Sequence, residues 1–363
     1  MSRIVLHIDF DYFYAQCEEI RSPELKTKPV AVCVYSDRGG DSGAIATANY
    51  MARKFGVKSG MPIHFAKKRL EERADSVFLP TDFDYYSEVS EKAMKIIEEF
   101  ADVFEYVGRD EAYLDISSKT QGDYNKASHI AQQIKNAVRE KLKLTCSIGV
   151  SPNKLVSKIA SDFKKPDGLT VVPKEKVEAF LEPLSVRDIP GIGKKTEQKF
   201  AEMNIETILD LKKLDVFSLN QQLGRKSGSH IYNAARGIDD ELVTPRSPNI
   251  QYSKIVTLKK DSKDHDFLVE NLTELCKEVH EIIKTKNLMF KSVGIQFVQS
   301  DLSNKTKSRM LRNPTSSLDE LEKTSKQLLQ EALEDQTIDV RRLGVKVSEL
   351  SEVKGQSSID SYF

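Results

Sequence analysis

The 363-residue chain predicts an α+β fold, a mixed sheet backed by helices. Three observations carry that expectation. Ile4 to Ile8 is an apolar, β-branched run of strand length that delivers Asp9 and Asp11 to its C-terminal end. Val103 to Ile116 reads as a further pair of strands interrupted by two adjacent acids, Asp110 and Glu111. Strand and helix patterns alternate along the chain around these two carboxylate-bearing strand ends.

Taken in order, the residues after Asp11 adopt a helical rhythm into Glu18 and Glu19. Pro29 to Tyr35 reads as a second strand, followed by a glycine turn at 39–43 and another strand at Ala44 to Ala48. Asn49 to Gly56 predicts a short helix ending on glycine. Val77 to Leu79 is a short strand, and Tyr85 to Phe100 a long amphipathic helix with apolar residues at 89, 93, 96, 97 and 100. Beyond the acidic hairpin, Ser128 to Leu142 is a helix and Leu144 to Val150 a strand. A helix then opens at Ser151 with Pro152 near its first turn, and Lys164 to Gly168 is a basic turn.

The segment from Val186 to Phe200 differs in kind. Pro190-Gly191-Ile192-Gly193 makes a tight turn before a helix carrying Lys194, Lys195 and Lys199. Glycines let a backbone approach a phosphate, and the N–H groups of a helix start can bind it. The pattern is the helix-hairpin-helix signature, which grips a DNA backbone without reading bases; a plain corner between helices would carry the same residues. Gly224 to His230 repeats the pattern more weakly, and Thr244 to Asn249 is a proline-punctuated polar linker. Strands at 254–258, 292–298 and 341–347, with helices at 265–284 and 318–334, then predict a small sheet with two helices. Its Lys259, Lys260, Arg309, Arg312, Arg341 and Arg342 suit either a phosphate backbone or a solvated face.

Composition is that of an ordinary globular protein long enough for two or more cored domains. Lys+Arg 55 against Asp+Glu 55 argues mildly against a nucleic-acid partner, so any such binding must come from local clusters. Cys17, Cys33, Cys146 and Cys276 lack metal-ligand spacing and indicate neither a disulfide scaffold nor a zinc site. With no signal peptide or membrane-length apolar segment, a reducing, cytoplasmic setting is expected.

Acids between apolar strands are costly to bury unless something cationic neutralises them. Asp9 alone fits a solvated strand end, but Asp9, Asp110 and Glu111 meeting at strand ends make a hard-oxygen site suited to Mg²⁺. Two such ions activate an attacking oxygen and stabilise a leaving one, which is phosphoryl-transfer chemistry. Thr47, Tyr50 and Arg53 fall three apart and share one face of the short helix and its approach. A hydroxyl, a phenol and a guanidinium there suit a triphosphate, or simply form a polar helix face.

Motifs in the same order occur in one known family. Ile8-Asp-Phe-Asp-Tyr-Phe-Tyr-Ala15, Ala46 to Val57, Asp110 to Asp115, Ser147 to Lys154, Lys165 to Gly168 and Pro190 to Gly193 resemble the Y-family, lesion-bypass DNA polymerases, the archaeal members especially. The resemblance runs over nearly the whole chain. It implies a right-hand architecture: palm at 1–10 and 78–166, small fingers at 11–77, a helix-hairpin-helix thumb at 167–238, a linker at 239–250 and a little finger at 251–350.

It also implies roles. Asp9, Asp110 and Glu111, with the Phe10 carbonyl, would hold two Mg²⁺ ions. Tyr12, Phe13, Tyr14, Thr47, Tyr50, Arg53 and Lys165 would surround the incoming dNTP, with Tyr14 as the steric gate against a 2′-hydroxyl. Gly191, Gly193, Lys194, Lys195, Arg341 and Arg342 would face primer-template DNA. The implied activity is translesion synthesis by a monomer, with no stretch left for a proofreading nuclease.

The chain departs from the family where a small hydroxyl or thiol residue and then an aliphatic one usually precede the Asp-Glu pair. Gly108 and Arg109 stand there. Gly108 would ease the bend that both acids need to reach one site. Arg109 would pair with a nearby acid or phosphate, or compete with metal. The rival functions are a palm-like nucleotide cyclase, which has no use for the Pro190–Gly193 turn, and a non-catalytic DNA-binding scaffold, should Arg109 disable the site. The tail from 351 is expected to be disordered and to end in Gln356, Ile359, Tyr362 and Phe363, a pattern resembling the sliding-clamp-binding motif.

Overall fold

The computed structural model describes residues 2–245, 248–334 and 339–353. By internal contacts the chain divides into two compact units, Met1–Val34 with Ala44–Ser247, and Tyr35–Gly43 with Pro248–Phe363.

The chain begins β1 (Val5–Phe10), α1 (Phe13–Arg21), β2 (Val30–Tyr35), β3 (Gly43–Ala48), α2 (Tyr50–Arg53), α3 (Ile63–Arg69) and β4 (Val77–Pro80). It continues through α4 (Phe83–Glu98), the hairpin β5 (Val103–Tyr106) and β6 (Glu111–Asp115), α5 (Ser117–Thr120) and α6 (Tyr124–Leu142). Then come β7 (Cys146–Ser151), α7 (Lys154–Phe163) and β8 (Leu169–Val171). A helical region follows, α8 (Val177–Leu181), α9 (Lys194–Glu202), α10 (Ile208–Lys212), α11 (Val216–Leu223) and α12 (Arg225–Ala234).

The five-stranded sheet has the order β5-β6-β1-β7-β8, with β1 in the middle and antiparallel to both neighbours. Strand alternation sends Ile4, Leu6, Ile8 and Phe10 into a core built with Ala93 and Ile97 of α4 and Ala131, Ile134 and Val138 of α6. His7 and Asp9 face the other way, where α7 covers the sheet and Ser161 Oγ lies 2.8 Å from His7 Nδ1. That approach depends on Gly149 of β7, because a Cβ there would sit 2.0 Å from the Ser157 carbonyl oxygen.

The helix expected at 49–56 is a single turn, Tyr50–Arg53. Gly56 in the left-handed region (φ 78) reverses the chain so that Val57 N–H returns to the Ala52 carbonyl, closing the helix early. The segment Asp239–Thr244, read from sequence as linker, is fastened to the sheet. The Asp239 carboxylate accepts from Leu155 N–H (2.9 Å), Lys154 donates to both Glu105 (2.8 Å) and Glu241 (2.5 Å), and Val243 is buried against Val5 and Tyr113.

The second unit contains β9 (Gln251–Ser262), α13 (His265–Thr285), β10 (Leu288–Gln299), β11 (Asn304–Thr315), α14 (Leu318–Leu333) and β12 (Val340–Glu352). Its antiparallel sheet, β11-β10-β12-β9, packs Val293, Ile295, Phe297, Leu343, Val345 and Val347 against leucines of both helices. Sequence periodicity locates three of these strands, each shorter than the one observed, and passes over β11. With Met310 and Leu311 its only large apolar residues, β11 is a cation-rich edge strand that buries little. No described helix is long and apolar enough to cross a membrane.

Candidate active site

A cavity of about 220 Å³ opens where β1 ends. Asp9, Phe10, Tyr12, Phe13 and Tyr14 line it from the β1–α1 junction, and Thr47, Tyr50 and Arg53 from β3 and α2. Asp110 and Lys165 complete the set, together with Ala46 and Ser59, which the sequence does not single out.

Of the two hairpin acids, Asp110 lines the cavity and Glu111 does not. Residues 108–110 form the bend between β5 and β6, and Val107 and Gly108 both donate their N–H to the Glu111 carbonyl (3.2 and 3.1 Å). Phe10 N–H donates to the Asp110 carbonyl (2.8 Å), which ties the bend to the end of β1. Asp9 and Glu111 face each other in register and therefore project from the same side of the sheet.

Burial raises the Asp9 pKa to about 6, opposed by the neighbouring Lys165. Burial also raises that of Asp110, and the charge of Glu111 adds to the shift. Glu111 behaves oppositely: the His7 hydrogen bond, then Lys158, outweigh its burial and hold it down to about 2. His7 is itself pushed down to about 4, chiefly by burial, so its ring is neutral.

Two of the three carboxylates, Asp9 and Glu111, thus have an ammonium beside them. Lys165 Nζ lies 2.6 Å from Asp9 and 2.7 Å from Asp162, while Lys158 bonds Glu111 Oε2. Among the described residues, no three His, Cys, Asp or Glu side chains are grouped closely enough to hold an ion. The donors nonetheless suit one. They are all hard oxygens, and burial disfavours the charged forms of Asp9 and Asp110, a cost that a divalent cation would offset.

The loop bearing Lys165 is anchored by Asp11, whose importance spacing does not reveal. Fully buried, its carboxylate accepts from Thr145 Oγ1, Ser147 Oγ and Asp167 N–H, each at 2.8 Å. On the other flank, Asn49 caps α2 through Ala52 N–H (3.0 Å) and donates to Glu19 (2.9 Å), and Glu19 also accepts from Tyr12 Oη (3.2 Å). The Tyr50 hydroxyl is buried without a hydrogen-bond partner. Tyr14 stacks on Tyr86 at 4.6 Å, and Tyr86 is fully buried with its hydroxyl on Glu18 (2.7 Å).

Arg109 turns away from the acids. Its Nε donates to Ser87 Oγ (3.0 Å), its carbonyl accepts from Ser90 Oγ (2.6 Å), and the guanidinium lies 5.3 Å from the Phe83 ring centre. The cations that meet the site acids are Lys158 and Lys165, which neighbour them in space and not in sequence.

The remaining sequence candidates lie elsewhere. Gly191 (φ 95) makes the turn before α9, Gly193 caps it, and Lys194 and Lys195 are exposed. Arg341 lies 3.6 Å from Asp261, and Arg309 bonds Glu331, whereas Arg342 and Arg312 are exposed on the sheet. Gln356, Ile359, Tyr362 and Phe363 lie outside the described residues.

Family models match in chain order. Residues 8–162 match the impB/mucB/samB family, 187–239 the thumb domain of DNA polymerase-iota, and 250–361 the impB/mucB/samB family C-terminal domain. The chain therefore belongs to the Y-family DNA polymerases, lesion-bypass enzymes that extend DNA on a template by metal-dependent nucleotidyl transfer. It is 78% identical to DNA polymerase IV of Nitrosopumilus maritimus over 362 residues, covering 100% of each chain, and 38% identical to DNA polymerase IV of Saccharolobus solfataricus, covering 99% of each. A solved Y-family DNA polymerase chimera, Dbh-Dpo4(243-245)-Dbh, aligns with TM-score 0.89 at 33% identity, over 96% of this chain and 100% of that one. The cyclase and scaffold alternatives find no support in these matches.

Since Arg109 bonds Ser87 and leaves the acids alone, Arg109→Ile should not change the Mg²⁺ concentration for half-maximal primer extension. It should cost about 0.5–1 kcal/mol of stability through the lost hydrogen bond and ring contact. Extension assays across a Mg²⁺ series, with a denaturant melt, check both; a lowered Mg²⁺ requirement would contradict the placement.

Proposed function

We propose that the cavity at the end of β1 is the nucleotidyl-transfer site, taking primer-template DNA and a dNTP with two Mg²⁺ ions. The observation that supports this most directly is the convergence of four separated chain segments on one small cavity, whose wall carries the carboxylates of Asp9 and Asp110 together with phenol, hydroxyl, guanidinium and ammonium groups. Asp9, Asp110 and Glu111, with the Phe10 carbonyl, would hold the ions. When bound, the ions supply activation of the primer 3′-hydroxyl and charge stabilisation of the departing pyrophosphate.

The chain's own part is positioning and electrostatics. A buried hydroxyl without a partner costs about 1–3 kcal/mol, so Tyr50 is poised to donate to a phosphate oxygen. Arg53, whose Nε is held by the Ala48 carbonyl (2.8 Å), Thr47 and Lys165 share the triphosphate with it. Tyr12 and Phe13 form the adjoining wall. Tyr14, backed by Tyr86, is the steric gate, because a ring stacked on a fully buried partner cannot retreat from a 2′-hydroxyl.

Palm (1–10, 78–166), fingers (11–77), thumb (167–238), linker (239–250) and little finger (251–350) are the parts we assign to this work. The turn at Gly191 and Gly193 with Lys194 and Lys195, and the sheet residues Arg341 and Arg342, would hold the DNA backbone. Arg342 is the better placed of the two arginines, since Arg341 has Asp261 beside it. Gln356, Ile359, Tyr362 and Phe363 would tether the enzyme to a sliding clamp and raise its local concentration at the primer end.

Asp110→Ala with Glu111→Ala should lower primer extension by at least about 1,000-fold while primer-template binding survives. Retained turnover would sink the site assignment. Tyr14→Ala should raise ribonucleotide incorporation relative to deoxynucleotide by at least about tenfold; single-nucleotide kinetics with dNTP and rNTP pairs read this ratio, and no change would make Tyr14 a packing residue. Deleting residues 356–363 should leave clamp-free extension intact and abolish clamp binding, and undiminished binding in a pull-down would place the tether elsewhere.

A further inference from the structure

Glu111 Oε2 is shared. It accepts from Lys158 Nζ and lies 3.2 Å from His7 Nε2, which is itself 3.4 Å from the same ammonium. Lys158 Nζ therefore stands against both the Glu111 oxygen and the His7 ring nitrogen.

We propose that Lys158 is the resident counter-cation of the carboxylate cluster, competing with the divalent ion for Glu111 and thereby setting the affinity of the metal-free enzyme for that ion. The inference rests on the reading of Glu111 as a metal ligand. The lysine has somewhere to go when displaced. Its side chain is 31% exposed and borders a cavity of about 440 Å³ whose wall also includes Arg187, Pro190 and Gly191. On leaving Glu111 the ammonium would face the turn that we assign to the DNA backbone, so occupation by metal and approach of a phosphate favour the same lysine position. Binding of either would then assist the other.

The test is Mn²⁺ binding to the full chain without DNA or nucleotide, read by the electron paramagnetic resonance of free Mn²⁺, with folding checked by circular dichroism. Lys158→Met should bind Mn²⁺ about tenfold more tightly than the parent. Lys158→Arg, which keeps the charge, should restore the parent affinity. Lys164→Met removes an exposed charge nearby in sequence and should change affinity less than about twofold. In the Glu111→Gln background, Lys158→Met should confer no tightening, because the group competed for is gone. Should Lys158→Met fail to fold, Lys158→Gln takes its place.

Affinity unchanged or weakened in Lys158→Met, or tightened equally by Lys164→Met, would overturn the proposal. If Glu111→Gln alone leaves Mn²⁺ binding unaltered, the ligand assignment itself falls and the proposal with it. Tightening in Lys158→Met that persists at full size in the Glu111→Gln background would instead leave Glu111 a ligand and overturn only the competition.

Discussion

Asp9 stands at the end of the middle strand of five, where burial disfavours its charge and pushes its pKa to about 6. A carboxylate in that position needs a cation, and much of the first unit is arranged to present one. Lys165 is brought to Asp9 by the loop after α7. That loop is held by the buried Asp11, only two residues from Asp9, through Asp167 N–H. From the other side Lys135 of α6 donates to the carbonyls of Asp167 and Gly168, and Arg139 bonds the Asp167 carboxylate. The two acids of the β1 end therefore divide the work: one remains at the cavity, and the other fixes the backbone that carries its partner.

Rigidity at the nucleotide side comes from a second buried network. Asn49 joins Val30 N–H, Lys28 O, Glu19 and the first turn of α2, which anchors a helix of only four residues. Isolated helices of that length do not form in water, and here tertiary hydrogen bonds replace propensity. Tyr12 adopts a left-handed backbone (φ 36), a conformation that costs about 1–3 kcal/mol at a non-glycine residue and persists because its surroundings determine it. Its ring meets Tyr50 edge-on at 5.2 Å and its hydroxyl reaches Glu19, so the strained turn is fastened to both flanks of the cavity.

Much of the site was legible because spacing encodes it. An apolar run ending on Asp9 placed that acid at a strand end, and Gly108 before two acids foretold the bend found at 108–110. Residues three apart, Thr47, Tyr50 and Arg53, do line one wall. The edge strand β11 escaped periodicity because an edge buries little and shows no apolar alternation. The early end of α2 and the docking of Asp239–Thr244 escaped because long-range bonds, and not local pattern, decide them.

What the sequence by itself determined is the inventory: which strands end on acids, which turn carries glycine before lysines, and which family those motifs belong to. Local periodicity and short motifs suffice for that. The tertiary structure alone decided which cation meets which carboxylate. Arg109 adjoins Asp110 in the chain yet reaches Ser87 and Phe83, while Lys158, 47 residues from Glu111 along the chain, shares its oxygen. Charge pairing falls off within a few ångströms and depends on side-chain direction, and neither quantity can be read from position along the chain.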